Sequence, residues 1–340
     1  MRLSFWQRPD SPMRIAFALL FVAIIVAAGV VGGAIWEPRY FAAPGPASQR
    51  TVVVISPRSG ALAIAERLSA AGVVRSGILF QAAVILRGKS TKLKAGEYGF
   101  PPHASEATIV DMLLTHKVIE HRITIPEGFT SDMAVALLEG EHVLTGKSPG
   151  VAEGSLLPET YLFELGTSRS QILDRMHKAQ TELLTKLWPM RRPNLPFQTV
   201  VDALKLASIV EKETAIPAER PHVAAVYINR LRNGMKLEAD PTIIYGLTKG
   251  IALGHGITQV ELQTPNPYST YQIDGLPPTP ICNPGRDAIT AVLLPADSPD
   301  LYFVANGTGG HVFAKTKAEH ELNVARWRLL QQQAKSAHTD

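Results

Sequence analysis

The chain has 340 residues, with 34 Lys plus Arg against 30 Asp plus Glu, a formal net charge of +4 and 46% hydrophobic residues. That length allows two or three domains with cores of their own, and the thinly spread charge lacks the dense basic block of a nucleic-acid footprint, so no nucleic acid is expected as a partner. With Cys282 as the only cysteine, an intrachain disulfide and a cysteine-based zinc site are excluded.

Residues 1–14 carry Arg2, Arg8 and Arg14 and lead into IAFALLFVAIIVAAGVVGGAIW, Ile15 to Trp36, a run without a charge. A helix of about 20 apolar residues crosses a bilayer core. Residues 15–36 therefore read as a single N-terminal transmembrane helix, and the preceding arginines place 1–14 in the cytoplasm and the rest of the chain outside. A cleaved secretory signal is the alternative, with AAPGPA near Ala42 as its cleavage text; either way the remainder works outside the cytoplasm. Residues 37–50, EPRYFAAPGPASQR, read as a short linker.

Residues 51–116 begin with TVVVI, a strand by its β-branched density. ALAIAERLSAAG follows, with Ala61, Ile64, Leu68 and Ala71 on one helical face, then a second helical pattern, SGILFQAAVILRG, then LKAGEYGF as a returning strand. This small βααβ unit resembles LysM modules, which bind the N-acetyl sugars of cell-wall glycans. The order fits a generic α+β packing module equally well. A short helix from Glu106 to Leu114 closes the segment.

Residues 117–199 form a connecting α+β region: a strand in VIEHRITIP, a helix in SDMAVALLEG capped by Thr130 or Ser131, a loop in LPETYLFELGT bearing Tyr161 and Phe163, and a helix from about Gln171 to Leu187. Residues 200–340 are mainly helical, with a β-hairpin around Asn306-Gly307 that puts His311 on its second strand. The fold class is α+β.

In ASIVEKETA, Glu211 and Glu213 sit on a helix expected from Val200 to Ile216, just before Pro217. Residues two apart lie roughly 200° round the axis, so the two acids cannot face one site. Glu213 shares its face with Leu206, Ile209 and Val210, whereas the neighbours of Glu211 are Leu204, Ala207 and Ser208. Apolar company raises a carboxyl pKa and suits a general acid, as in glycosidases. From spacing alone, two surface glutamates pairing with Lys205, Lys212 or Arg220 remain the alternative.

Four stretches in order, ASIVEKET, VAAVYINRLRNGMKLEADPTIIYGL, NPYSTYQIDGLPPTPICNPGRDAI and LYFVANGTGGHVFAKTKAEH, resemble the endolytic murein transglycosylase family, also called endolytic peptidoglycan terminases. The resemblance covers about Val200 to the end closely and the earlier part loosely. It implies a single-pass enzyme of the bacterial inner membrane with its catalytic part, 200–340, on the periplasmic or extracytoplasmic side. Such an enzyme cuts nascent glycan strands between N-acetylmuramic acid and N-acetylglucosamine and leaves a 1,6-anhydromuramyl end, terminating elongation. It implies membrane-bound peptidoglycan synthases as partners, no cofactor and no metal. The second acid of its EKE motif falls on Glu213.

The substrate-binding candidates each keep a plainer reading. Asp240, before Pro241, can cap a short helix carrying Thr242 and Tyr245. Asn229 is a sugar contact or a buried structural amide. Tyr268 and Tyr271 offer flat faces to pyranose rings or pack a loop, and Asn283, with Pro277-Pro278, fixes a loop beside the cleft. The chain departs from the family's PYNTY at Ser269 and from its asparagine after the late histidine at Glu321, so neither takes a role, and His320 reads as a residue at the start of a helix. Three rivals have less support. A binding-only scaffold leaves Glu213 unexplained, a pyridoxal-phosphate lyase lacks a Gly-rich phosphate cradle, and metal hydrolysis lacks an HExxH spacing.

Overall fold

The computed structural model describes residues 12–336; within its first and last helices the side chains of 12–15, 18, 28–37 and 334–336 lie outside the description. Most of the expected cytoplasmic tail, 1–11, lies outside it as well. The chain divides into two compact units, Met1–Glu120 and His121–Asp340.

The first unit opens with helix α1 (Pro12–Ala42). Among the described residues no helix is long and apolar enough to cross a membrane, so the structure does not show the expected span over 15–36. The linker reading of 37–50 is corrected: Phe41 is buried in the unit's core, and Gly45 and Ala47 pair by backbone hydrogen bonds with His103. Apolar Phe41 carries α1 straight into the packed unit, and no free stalk results.

Strand β1 (Thr51–Ile55), helices α2 (Ala61–Ala70) and α3 (Gly77–Leu86) and strand β2 (Gly96–Phe100) follow in the order read from the sequence. β1 and β2 pair antiparallel, with Val53 opposite Tyr98. One side of this ribbon and one face of each helix bury Val53, Ile55, Ile64, Leu68, Phe80, Val84, Tyr98 and Phe100. Helix α4 (Glu106–Thr115), capped by Ser105, adds Ile109 and Leu113 to the same core.

In the second unit, β3 (His121–Thr124) precedes α5 (Ser131–Gly140), whose N-cap is Thr130. The LPETYLFELGT loop is instead partly a strand, β4 (Thr160–Phe163), because Tyr161 and Phe163 alternate inward opposite Ile123 and His121 of β3. Helix α6 (Arg169–Leu187) starts with a capping box of Ser168 and Gln171 and closes a small core with Ile172, Leu173 and Met176.

The larger core surrounds α7 (Val200–Glu213), which packs against α8 (Arg220–Arg232), α9 (Asp240–Thr248) and, after the short α10 (Gln259–Gln263), α11 (Arg286–Leu293). The chain ends in the antiparallel hairpin of β5 (Tyr302–Ala305) and β6 (His311–Ala314) and in α12 (Lys317–Ser336). Asn306 closes the hairpin loop, its Oδ1 accepting from the backbone N–H of Thr308 and Gly310.

α7 ends three residues before the expected Ile216. Thr214 is already extended, at φ −136° and ψ 130°. Its hydroxyl donates to Glu219 and accepts from the Ile216 N–H, an arrangement that competes with a further helical turn. Glu213 is thereby the last helical residue.

Candidate active site

The contrast between apolar faces that nominated Glu213 does not survive packing. α7 is buried nearly all round: Leu206, Ala207, Ser208, Ile209 and Val210 all have no exposed surface. Both glutamates are sheltered, and burial raises the pKa of both. What separates them is what each carboxyl meets.

Glu211 Oε1 accepts from Arg220 Nη2 at 2.9 Å and Oε2 from the Gly285 N–H at 2.8 Å. Both partners of this ion pair are buried, and Arg220 also reaches Glu127 at 3.3 Å. The pair ties α7 to the starts of α8 and α11. The Glu127 carboxyl packs directly against the Cα of Gly285, so a side chain there would have to push Glu127 aside.

Among the described residues Glu213 has no cationic partner in contact. Its Oε1 accepts a 2.6 Å hydrogen bond from the Tyr227 hydroxyl on α8, and it lines a cavity of about 240 Å³ with Arg230, Leu237, Glu238, Asp240, Tyr271, Phe303 and His320. The pKa is pushed up to about 7, first by burial and then by the Asp240 charge, against the Tyr227 hydrogen bond and the Arg230 charge. The residue touches solvent through the cavity mouth, yet the protein around the carboxyl still disfavours its charged form. Its place at the C-terminus of α7, the negative end of the helix dipole, acts in the same direction.

Arg230 is fixed by donating to the carbonyls of Leu301, Lys236 and Leu237 and to Glu238 Oε2. That ties the hairpin and the 236–238 segment to α8. Phe303 meets the Tyr227 ring edge-on at 5.8 Å. The hairpin is held from the other side by Glu219, which accepts from the His311 N–H at 2.9 Å and lies 2.7 Å from its Nδ1.

The candidates read from sequence divide three ways. Asp240 and Tyr271 share the cavity with Glu213, the Tyr271 hydroxyl donating to Asp240 Oδ1 at 2.7 Å. The capping role of Asp240 is corrected: it is the first residue of α9, the N-cap is Ala239, and the side chain makes no cap bond. The N–H of the N-cap residue Ala239 donates to the buried Thr270 hydroxyl.

Tyr245 and Tyr268 form a second cluster. Their rings meet at 4.8 Å, Lys249 lies 5.1 and 5.2 Å from the two centroids, and the Tyr245 hydroxyl donates to Glu153. Neither lines the Glu213 cavity.

Thr242, Asn229 and Asn283 are spent on the protein itself. Thr242 is buried and donates to the Ala239 carbonyl at 2.6 Å. Asn229 Nδ2 donates to the carbonyls of Ser298 and Asp300. Asn283, fully buried, accepts from the Leu156 N–H and donates to the Phe129 carbonyl and the Ser131 hydroxyl, splicing three segments together.

Tyr227, Arg230, Glu238, Phe303 and His320 went unnamed as site residues in the sequence. His320, on the first turn of α12, stacks on Tyr302 at 5.2 Å, and burial together with Arg230 holds its pKa down. The only sequence signal for these residues was their place inside the quoted stretches. Among the described residues no group of three or more His, Cys, Asp and Glu is arranged as a metal site.

A profile described as the YceG-like family matches residues 53–326. The endolytic murein transglycosylase of Streptococcus pneumoniae serotype 2 is 28% identical over 355 residues, an alignment covering 90% of this chain and 64% of the relative. This chain thus spans a little under two thirds of the pneumococcal protein's length. The endolytic murein transglycosylase of Bacillus subtilis is also 28% identical, over 326 residues, with 86% and 89% covered. A crystal structure of a yceG-like protein from Listeria monocytogenes is 30% identical, covering 80% of this chain and 98% of that one, with a TM-score of 0.48.

Proposed function

Because this chain belongs to the YceG-like family, we propose that it is an endolytic murein transglycosylase, the activity its pneumococcal and Bacillus relatives are named for. It cleaves nascent peptidoglycan between N-acetylmuramic acid and N-acetylglucosamine and leaves a 1,6-anhydromuramyl end. The observation that carries this reading is one carboxyl, Glu213, with its pKa near 7 in a cavity open to solvent.

In this mechanism protonated Glu213 gives its proton to the glycosidic oxygen as the bond from the muramyl C1 breaks. Positive charge develops on the sugar ring, as in other glycosidic cleavages. The Asp240 and Glu238 carboxylates on the cavity wall favour that charge. The muramyl C6 oxygen then closes onto C1, and its proton passes to the Glu213 carboxylate, restoring the acid. One carboxyl serves both steps, and Tyr227 holds it in place. Tyr271, held by Asp240, presents its ring to the substrate.

The same reading makes 15–36 a bilayer anchor in the cytoplasmic membrane, with the chain from residue 37 onward outside it and membrane-bound peptidoglycan synthases as neighbours. Mass spectrometry of glycan ends tests the chemistry. Anhydro ends with the wild-type chain and none with Glu213→Gln support it, whereas hydrated reducing ends, or undiminished release by the variant, sink it.

A further inference from the structure

α3 is apolar on two opposite sides. One side buries Phe80, Ala83 and Val84. On the other, Ile78 is 78% exposed, Leu86 80% and Ile85 53%, and Leu62 of the adjacent α2 is 53% exposed. Residues 78, 82, 85 and 86 fall on one helical stripe. Such a continuous aliphatic surface on a small unit marks a contact with something apolar.

The charge around it is predominantly positive, although the exposed Glu66 lies one turn from Leu62 on α2. From Arg67 to Gly96 the chain carries Arg67, Arg75, Arg87, Lys89, Lys92 and Lys94 and no Asp or Glu. Arg67 and Arg75 are engaged with the carbonyls of Val54 and Pro44, and Arg87 lies over the Phe41 ring. The three lysines follow Leu86 directly, on the loop that leaves the apolar stripe, with Lys92 and Lys94 exposed. A second copy of this chain would bring the same cations and be repelled.

We propose that the exposed face of α3 and the Lys89–Lys94 loop form a docking surface for an anionic lipid bilayer. The aliphatic stripe enters the acyl boundary while the lysines meet phosphate headgroups, the pairing that holds amphipathic helices in a membrane interface. The inference rests on the reading of 15–36 as an anchor. It goes beyond that reading because it assigns membrane contact to a folded surface. Phe41, buried one residue before α1 ends, leaves little slack between the anchor and this surface.

The test uses the full chain, with Cys282→Ala, reconstituted in vesicles of brominated phosphatidylcholine with or without phosphatidylglycerol. A bimane fluorophore is placed at Leu86→Cys or, as a control, at the exposed Asp111 of α4 as Asp111→Cys. With phosphatidylglycerol present, the Leu86 label is quenched about threefold more than the Asp111 label, and Lys89→Glu, Lys92→Glu and Lys94→Glu together remove the difference. Equal quenching at the two positions overturns the inference, as does insensitivity to the lysine changes. A Leu86 signal that fades as protein is diluted at fixed lipid assigns the face to a second copy and also overturns it. Alkaline carbonate extraction of the same vesicles reports separately on the anchor: a chain that resists extraction while its Leu86 label stays unquenched keeps the anchor and loses the docking surface.

Discussion

Tyr227 donates a 2.6 Å hydrogen bond to Glu213 Oε1, and this bond opposes the burial that lifts the carboxyl to about pH 7. Tyr227→Phe removes the opposition and frees the carboxyl to rotate. The alkaline limb of the kcat/KM profile then moves above its wild-type position near pH 7, and the plateau falls about five- to tenfold. A pH–rate series on isolated glycan strands checks both.

Asp240 acts in the other direction, since its negative charge raises the Glu213 pKa. Asp240→Asn keeps an acceptor for the Tyr271 hydroxyl and removes the charge, so the alkaline limb moves to lower pH. Opposite displacements by Tyr227→Phe and Asp240→Asn, in one assay, are the expected signature. Limbs that coincide with wild type mean that another group titrates.

A carboxyl whose folded-state pKa lies above its unfolded value binds more protons when folded, so it costs stability as pH rises from about 4.5 to about 7. Two to three pKa units correspond to an upper bound on the order of 3 kcal/mol. Glu213→Gln, which retains an acceptor for Tyr227, is therefore more stable than wild type at pH 8 and nearly equal to it at pH 4.5. Urea denaturation of both proteins at the two pH values measures the difference.

Glu211→Ala has the opposite consequence. It leaves the Gly285 N–H unpaired and the buried Arg220 guanidinium with only its longer contacts to Glu127 at 3.3 Å and Asp287 at 3.7 Å, a loss of about 2–3 kcal/mol, short of the full cost of an uncompensated buried charge. Denaturant midpoints of the two glutamate variants at pH 8 move in opposite directions. If Glu211→Ala is as stable as wild type, the ion pair does not hold α7 to α8.

Asn283→Ala removes acceptor and donor groups that join 129–131, 156 and 283. It lowers stability by about 2–4 kcal/mol without displacing the pH profile of the residual activity. A displaced profile makes Asn283 part of the site.

Local periodicity made α5, α6 and α7 legible, together with the cap at Thr130 and the hairpin at Asn306. These depend on neighbours in sequence. The site depends on neighbours in space. Tyr268 and Tyr271 are three apart, but they lie on irregular backbone that imposes no common face, so one turns to Tyr245 and the other to Asp240. Asp240 lost the cap because the helix begins at Asp240 itself, with Ala239 as N-cap, and its carboxyl accepts from Tyr271 on a separate segment. Spacing set Glu211 and Glu213 on different sides of α7, but the distinction that matters, an arginine for one and a tyrosine over a cavity for the other, is supplied by α8.

The cavity takes its walls from α7, α8, the start of α9, the hairpin and α12, so Phe303 and His320 arrive long after Glu213 in the direction of synthesis. The acid therefore acquires its enclosure, and with it the surroundings that keep its proton in place near neutral pH, only once the hairpin and the final helix have folded back onto α7.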